Sequence, residues 1–118
     1  MTFPKGLRNL KELYLSSNKF NDSILSSLNG FSSLKSLSLS NNKFTESTGF
    51  NGFQVLVSGL RQLEELDLSD NKFNDSILSF LSGFSTLKSL DLSGNMLTGS
   101  TGLNDSLNGK VVNHSYLG

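Results

Sequence analysis

At 118 residues, with no Cys, no Trp and ten basic side chains balanced by ten acidic ones, the chain has the length of one domain. That balance removes the charge excess that draws a protein to nucleic acid or to an anionic membrane surface, and the missing Cys removes a disulfide framework or a cysteine zinc site. No apolar run approaches the roughly eighteen residues of a spanning helix, and no basic start leads into an apolar stretch and cleavage site, so neither membrane insertion nor a signal peptide is visible.

From Leu7 the chain reads LRNLKELYLSSNKFNDSIL, and its segment NKFNDSIL at 18–25 returns at 71–78. Shifted by 53 residues, 7–50 matches 60–103 at 31 of 44 positions, which marks an internal duplication. A shorter period lies inside each copy. The pattern LxxLxLxxN occurs at Leu10–Asn18, Leu34–Asn42, Leu63–Asn71 and Leu87–Asn95, in steps of 24, 29 and 24 residues. The duplicated unit is therefore one short coil and one long coil of a solenoid.

In each LxL the period of two turns both Leu inward and the residue between them outward, as a short strand requires. Strands from successive coils pair in parallel, about 4.8 Å apart, so their outward residues form one concave face. The Asn that follows turns inward where the chain leaves the sheet. Asn18, Asn42, Asn71 and Asn95 are thus expected to form a ladder that satisfies backbone groups inside the turn. Two residues on, Phe20, Phe44, Phe73 and Leu97 make a second apolar row. The return legs at 23–31 and 76–84 space Ile, Leu and Phe at i, i+4 and i+7, which predicts short helical turns on the convex side ending near Gly30 and Gly83. FNGFQVLVSGL at 50–60 predicts an amphipathic helix in the long coil, with Gly59 near its end. The expected fold is an α/β right-handed solenoid of about four coils over 1–103, starting near Leu10, Leu34, Leu63 and Leu87. Beyond Leu103 no LxxLxL remains, so 104–118 reads as an irregular tail or makeshift cap, with a loosely attached tail favoured.

With the coils in register, LRNLKELYLSSNKFNDSIL resembles the plant-specific class of leucine-rich repeats, whose pattern runs LxxLxxLxLxxNxLxGxIP. Leu7, Leu10, Leu13, Leu15, Asn18, Phe20 and Ile24 fall on its positions, whereas Asp22 and Asp75 replace its Gly, and Leu25 and Leu78 replace its Pro. The tandem coils with their STGF and STGL segments are similar to the ectodomains of plant cell-surface receptor-like proteins. That resemblance implies an extracellular module, at the outer face of the plasma membrane, that binds a protein, peptide or glycan ligand or a co-receptor in defence or developmental signalling. The Cys-paired caps, signal peptide, membrane helix and cytoplasmic tail of such receptors have no counterpart here, so the chain reads as a slice of one. The alternatives are a remnant of a repeat array without a ligand, or an intracellular repeat adaptor.

Four Asn-x-Ser sequons, at Asn21, Asn74, Asn104 and Asn113, are candidate glycosylation sites. The expected binding surface is the outward sheet face: Glu12, Tyr14 and Ser16 on the first strand, Ser38 and Ser40 on the second, Glu65, Asp67 and Ser69 on the third, Asp91 and Ser93 on the fourth. Asp67 and Asp91 stack about 5 Å apart on neighbouring strands, where they repel each other or attract a cation. An open sheet offers no pocket that would turn them into an acid and base pair. No Ser has a His and Asp set around it, and His114 has no ligand-type neighbour at metal spacing, so no enzyme, metal or cofactor is expected. At the ends, Leu10, Leu13 and Phe20 on one side and Leu90, Leu92 and Leu97 on the other are expected to stand partly uncovered beside free strand edges, inviting self-association.

Overall fold

A computed structural model describes residues 9–17, 23–28, 30–42, 44, 54–81, 83–97 and 111–113. Every LxL forms a strand: β1 (Glu12–Tyr14), β2 (Ser36–Ser38), β3 (Glu65–Asp67) and β4 (Ser89–Asp91). Between them lie three short helices, α1 (Ser23–Leu28), α2 (Gln54–Gly59) and α3 (Ile77–Leu81), on the segments where apolar spacing predicts them. The strands pair in parallel and in chain order, with Leu13, Leu37, Leu66 and Leu90 in register. The ladder runs on past the strands: Leu15 N–H donates to Ser38 O, Leu39 N–H to Asp67 O and Leu68 N–H to Asp91 O, at 2.8–2.9 Å.

Between sheet and helices lies a core made almost entirely of Leu and Phe. Leu37, Leu39, Leu66, Leu68, Leu90 and Leu92 enter it from the strands, Leu28, Leu56 and Leu81 from the helices. Phe44 and Phe73 form the second apolar row. Their rings stack with centroids 6.2 Å apart and planes 11° from parallel, so the second coil seats its ring on that of the third. Phe20 falls outside the described residues.

The asparagines do the work expected of them. Asn42, Asn71 and Asn95 are buried, and each Nδ2 donates to two carbonyls of its own coil and one of the coil before. Asn71 Oδ1 accepts in return from the Asn42 and Phe44 amides at 3.1 and 3.3 Å, and Asn95 Oδ1 from the Phe73 amide at 3.0 Å. Asn18 lies outside the described residues.

The C-terminal end differs from expectation. A fifth strand, β5 (Val111–Asn113), pairs in parallel with β4, and Val112 takes the register position of Leu90. The step from Leu90 to Val112 is 22 residues, close to one short coil, and Val111–Asn113 is tied to the sheet edge by this pairing. Val112 stands where β4 has Leu90, and no Leu follows two residues on, which removes the LxL signature while β-branched Val keeps strand propensity. Leu90, Leu92 and Leu97 are accordingly buried, against the expectation of an uncovered C-terminal coil. At the other end Leu10, Leu13 and Leu15 are only partly buried, as a terminal coil requires.

The turn after each strand carries a second repeated feature. Ser17, Asn41, Asp70 and Gly94, each one residue before the ladder position, adopt positive φ of 59°, 54°, 57° and 70°. Asn, Asp and Gly tolerate this left-handed conformation best. At Gly94 a Cβ would also run into the Asp70 carboxylate. Gly94→Ala should therefore cost at least about 1–2 kcal/mol in urea unfolding, and adding Asp70→Gly should recover part of the loss; equal stabilities for wild type and Gly94→Ala would contradict this turn geometry.

Candidate functional site

The register that stacks the Leu ladder inside also builds the face outside. Tyr14, Ser38, Asp67 and Asp91 lie side by side across β1 to β4, and Glu12, Ser36, Glu65 and Ser89 form the row beneath. Asn113 and Val111 continue these rows in β5. All the strand residues expected on one face are thus brought together.

Their exposure is uneven. Tyr14 is 63% exposed, whereas Ser38 is buried at 6% because a single hydroxymethyl group sits between taller neighbours on both adjacent strands. Ser36 and Ser38 floor a recess of about 250 Å³, with Tyr14 on one side and Glu65, Asp67 and Asp91 on the other. The sheet is open but not flat: the small residues Ser36, Ser38 and Ser89 leave a recess that faces solvent.

The Ser column is engaged rather than free. Ser16 and Ser38 hydroxyls lie 2.9 Å apart, and Ser40 Oγ donates to Ser16 Oγ at 2.9 Å. On the next two strands the same position orients the acids: Ser69 N–H and Oγ donate to Asp67 Oδ1 at 3.0 and 2.7 Å, and Ser93 N–H and Oγ donate to Asp91 Oδ1 at 3.0 and 2.7 Å. The sequence signal for this was D-x-S on both strands, a local turn-forming pair.

Charge on the face is one-sided. Glu12, Glu65, Asp67 and Asp91 are the charged strand residues, and the two ion pairs among the described residues both go to Glu64, from Lys35 at 3.5 Å and Lys88 at 3.7 Å. Among the described residues no group of three or more His, Cys, Asp or Glu could hold a metal. Of the sequons, Asn74 Oδ1 accepts from Ser76 N–H and Oγ at 3.0 and 2.6 Å in an exposed turn. Asn21, Asn104, His114 and the side chain of Asn113 lie outside the described residues.

Leucine-rich-repeat family models match residues 6–28, 33–60, 62–84 and 86–109. The chain belongs to the leucine-rich-repeat family, whose domains generally serve as protein–protein interaction modules rather than as enzymes. A search of curated protein sequences gave no match. Among solved structures, the tropomodulin C-terminal domain of Caenorhabditis elegans superposes with TM-score 0.68 at 15% identity, over 94% of this chain and 77% of that one. Internalin C2 of Listeria monocytogenes gives 0.66 at 24% identity, over 93% of this chain and 54% of that one. A chain of the mouse RP105/MD-1 complex gives 0.60 at 30% identity, over 97% of this chain but 21% of that one. No helix among the described residues is long and apolar enough to cross a membrane.

Tyr14 gives the face a titratable reporter. Its hydroxyl donates to Glu12 Oε2 at 2.8 Å, and this hydrogen bond is the main cause that raises the phenol above its ordinary pKa, with Ser36 acting in the opposite direction. Losing the proton would cost the bond and set two negative charges together. In a Tyr116→Phe background, Glu12→Gln should lower the midpoint of the Tyr14 absorbance titration; an unchanged or higher midpoint would contradict the contact.

Proposed function

We propose that the chain is an interaction module that recognises a protein, peptide or glycan, or a co-receptor, through the concave sheet face. We further propose that it forms part of an ectodomain like those of plant cell-surface receptor-like proteins, at the outer face of the plasma membrane, in defence or developmental signalling. The observation that carries the binding reading is the in-register row Tyr14, Ser38, Asp67 and Asp91, which presents an exposed aromatic, a recess and uncompensated acids on one rigid surface. Such a surface binds well because the sheet orders its side chains before a partner arrives. The likeness to a chain of the RP105/MD-1 complex, solved with two components, supports a protein partner. The receptor-like setting rests on the resemblance of LRNLKELYLSSNKFNDSIL to the plant-type repeat pattern. Binding rather than catalysis fits a face whose recess is open to solvent and leaves Asp67 and Asp91 only partly buried.

The test is a selection of peptides from a random display library against the full chain, followed by amide shift mapping of the selected peptides. Shifts should cluster on β1 to β4 at residues such as Tyr14, Ser38 and Asp67 and spare Ser58, Ser79 and Ser85 on the helical side. Selected peptides that map only to the helical side, or a selection that enriches nothing, would overturn the assignment of the face.

A further inference from the structure

The recess on the concave face has a shape and a charge that specify its occupant more closely than the face as a whole does. β2 presents Ser36 and Ser38 between the taller residues of β1 and β3, which leaves a recess over β2 that also reaches Ser89 and Asp91 of β4. Tyr14 and Asp67 stand in register on either side of β2, two strand spacings or about 10 Å apart between backbones.

The electrostatics ask for a cation. Asp67 and Asp91 are each fixed through Oδ1 by the serine two residues on, while Asp67 Oδ2 has a long 3.4 Å contact from Ser38 Oγ. Neither acid, nor Glu65, has a Lys or Arg partner among the described residues, whereas Glu64 beside them has two. Lys35 and Lys88 thus neutralise the margin at Glu64 and leave the acids of the recess without a basic partner among the described residues, although the whole chain carries no net charge. Among the described residues these carboxylates, Glu65 and Asp67 on β3 and Asp91 on β4, do not form a group that could hold a metal ion, so a forked organic donor is the better-suited cation. Guanidinium is planar, weakly hydrated and rich in donors, and it packs on aromatic rings.

We propose that the recess receives an arginine side chain from an extended segment of a partner protein, with the guanidinium against Tyr14 and hydrogen-bonded to Asp67, and with Asp91 and Glu65 adding to the negative field. This rests on the concave face being the binding surface. Ser36 and Ser38 serve as specificity-determining residues, since larger side chains there would fill the recess.

The experiment titrates the full, isotope-labelled chain with N-acetyl-arginine methylamide and, separately, with the citrulline counterpart, which keeps length and shape but lacks charge. Arginine should give saturable amide shifts at Ser36, Ser38 and Asp67, with citrulline about tenfold weaker, the factor expected for a lost charge-assisted hydrogen bond. Tyr14→Ala should weaken the arginine probe about threefold, as removal of an exposed cation–π contact does, and added salt should weaken it further. Asp67→Asn keeps an acceptor for Ser69 and should abolish the preference for arginine over citrulline; Asp91→Asn reports a partial loss if that variant does not fold. Equal shifts from the two probes, shifts away from the recess, or no shifts would overturn the proposal. Library peptides that map to the concave face without any arginine requirement would sink this inference while leaving the binding face intact, whereas peptides that avoid the face would remove both.

Discussion

Everything on the outer face depends on the buried asparagine amides that tie each turn to the coil before it. Where the chain leaves the sheet, carbonyls at the strand ends lie against a core of Leu and Phe, which offers them no hydrogen-bond donor. A single Asn71 side chain answers three of them, Leu39 O, Leu68 O and Ser69 O, and accepts from two amides of the neighbouring coil. No apolar residue could do this, and an acid would bring a charge that is costly to bury. Because each amide bridges two coils, it fixes their register. That register puts Tyr14, Ser38, Asp67 and Asp91 in one row.

The same constraint explains the duplication. In a solenoid a coil is stabilised chiefly by its neighbours, so a copied pair of coils brings matching surfaces with it and can stack without redesign. The parts that differ between copies are informative for that reason. Tyr14 and Ser38 in the first copy become Asp67 and Asp91 in the second, on an otherwise preserved LxL framework. The core has been held while the outward face has changed, leaving an aromatic at one end of the sheet and acids toward the other.

Much of this was legible in the sequence because it follows from period alone. Alternation at Leu13 and Leu15 gives a strand, the Asn three residues on gives an inward turn, and Ile77 with Leu81 and Phe84 gives a helical face. The strand at Val111–Asn113 was hidden because Val stands where the earlier coils have Leu, so the LxL signature fails although the backbone preference persists. The burial of Leu90, Leu92 and Leu97 went unseen with it. The recess was illegible for a different reason: depth at Ser36 and Ser38 comes from the height of side chains on strands 24 and 29 residues away, a property of neighbours rather than of the serines. The left-handed turn was visible only in part, since Asn41, Asp70 and Gly94 signal it but Ser17 does not.

Equilibrium urea unfolding of Asn71→Ala beside Glu65→Ala, read together with hydrogen exchange at the Asn42 and Phe44 amides, tests the dependence on the ladder most directly. Loss of the bridging amide strands several buried groups and should cost about 2–3 kcal/mol, with protection lost at Asn42 and Phe44, whereas Glu65→Ala on the exposed face should stay within about 0.5 kcal/mol. Equal midpoints for the two variants, with Asn42 and Phe44 still protected in Asn71→Ala, would contradict it.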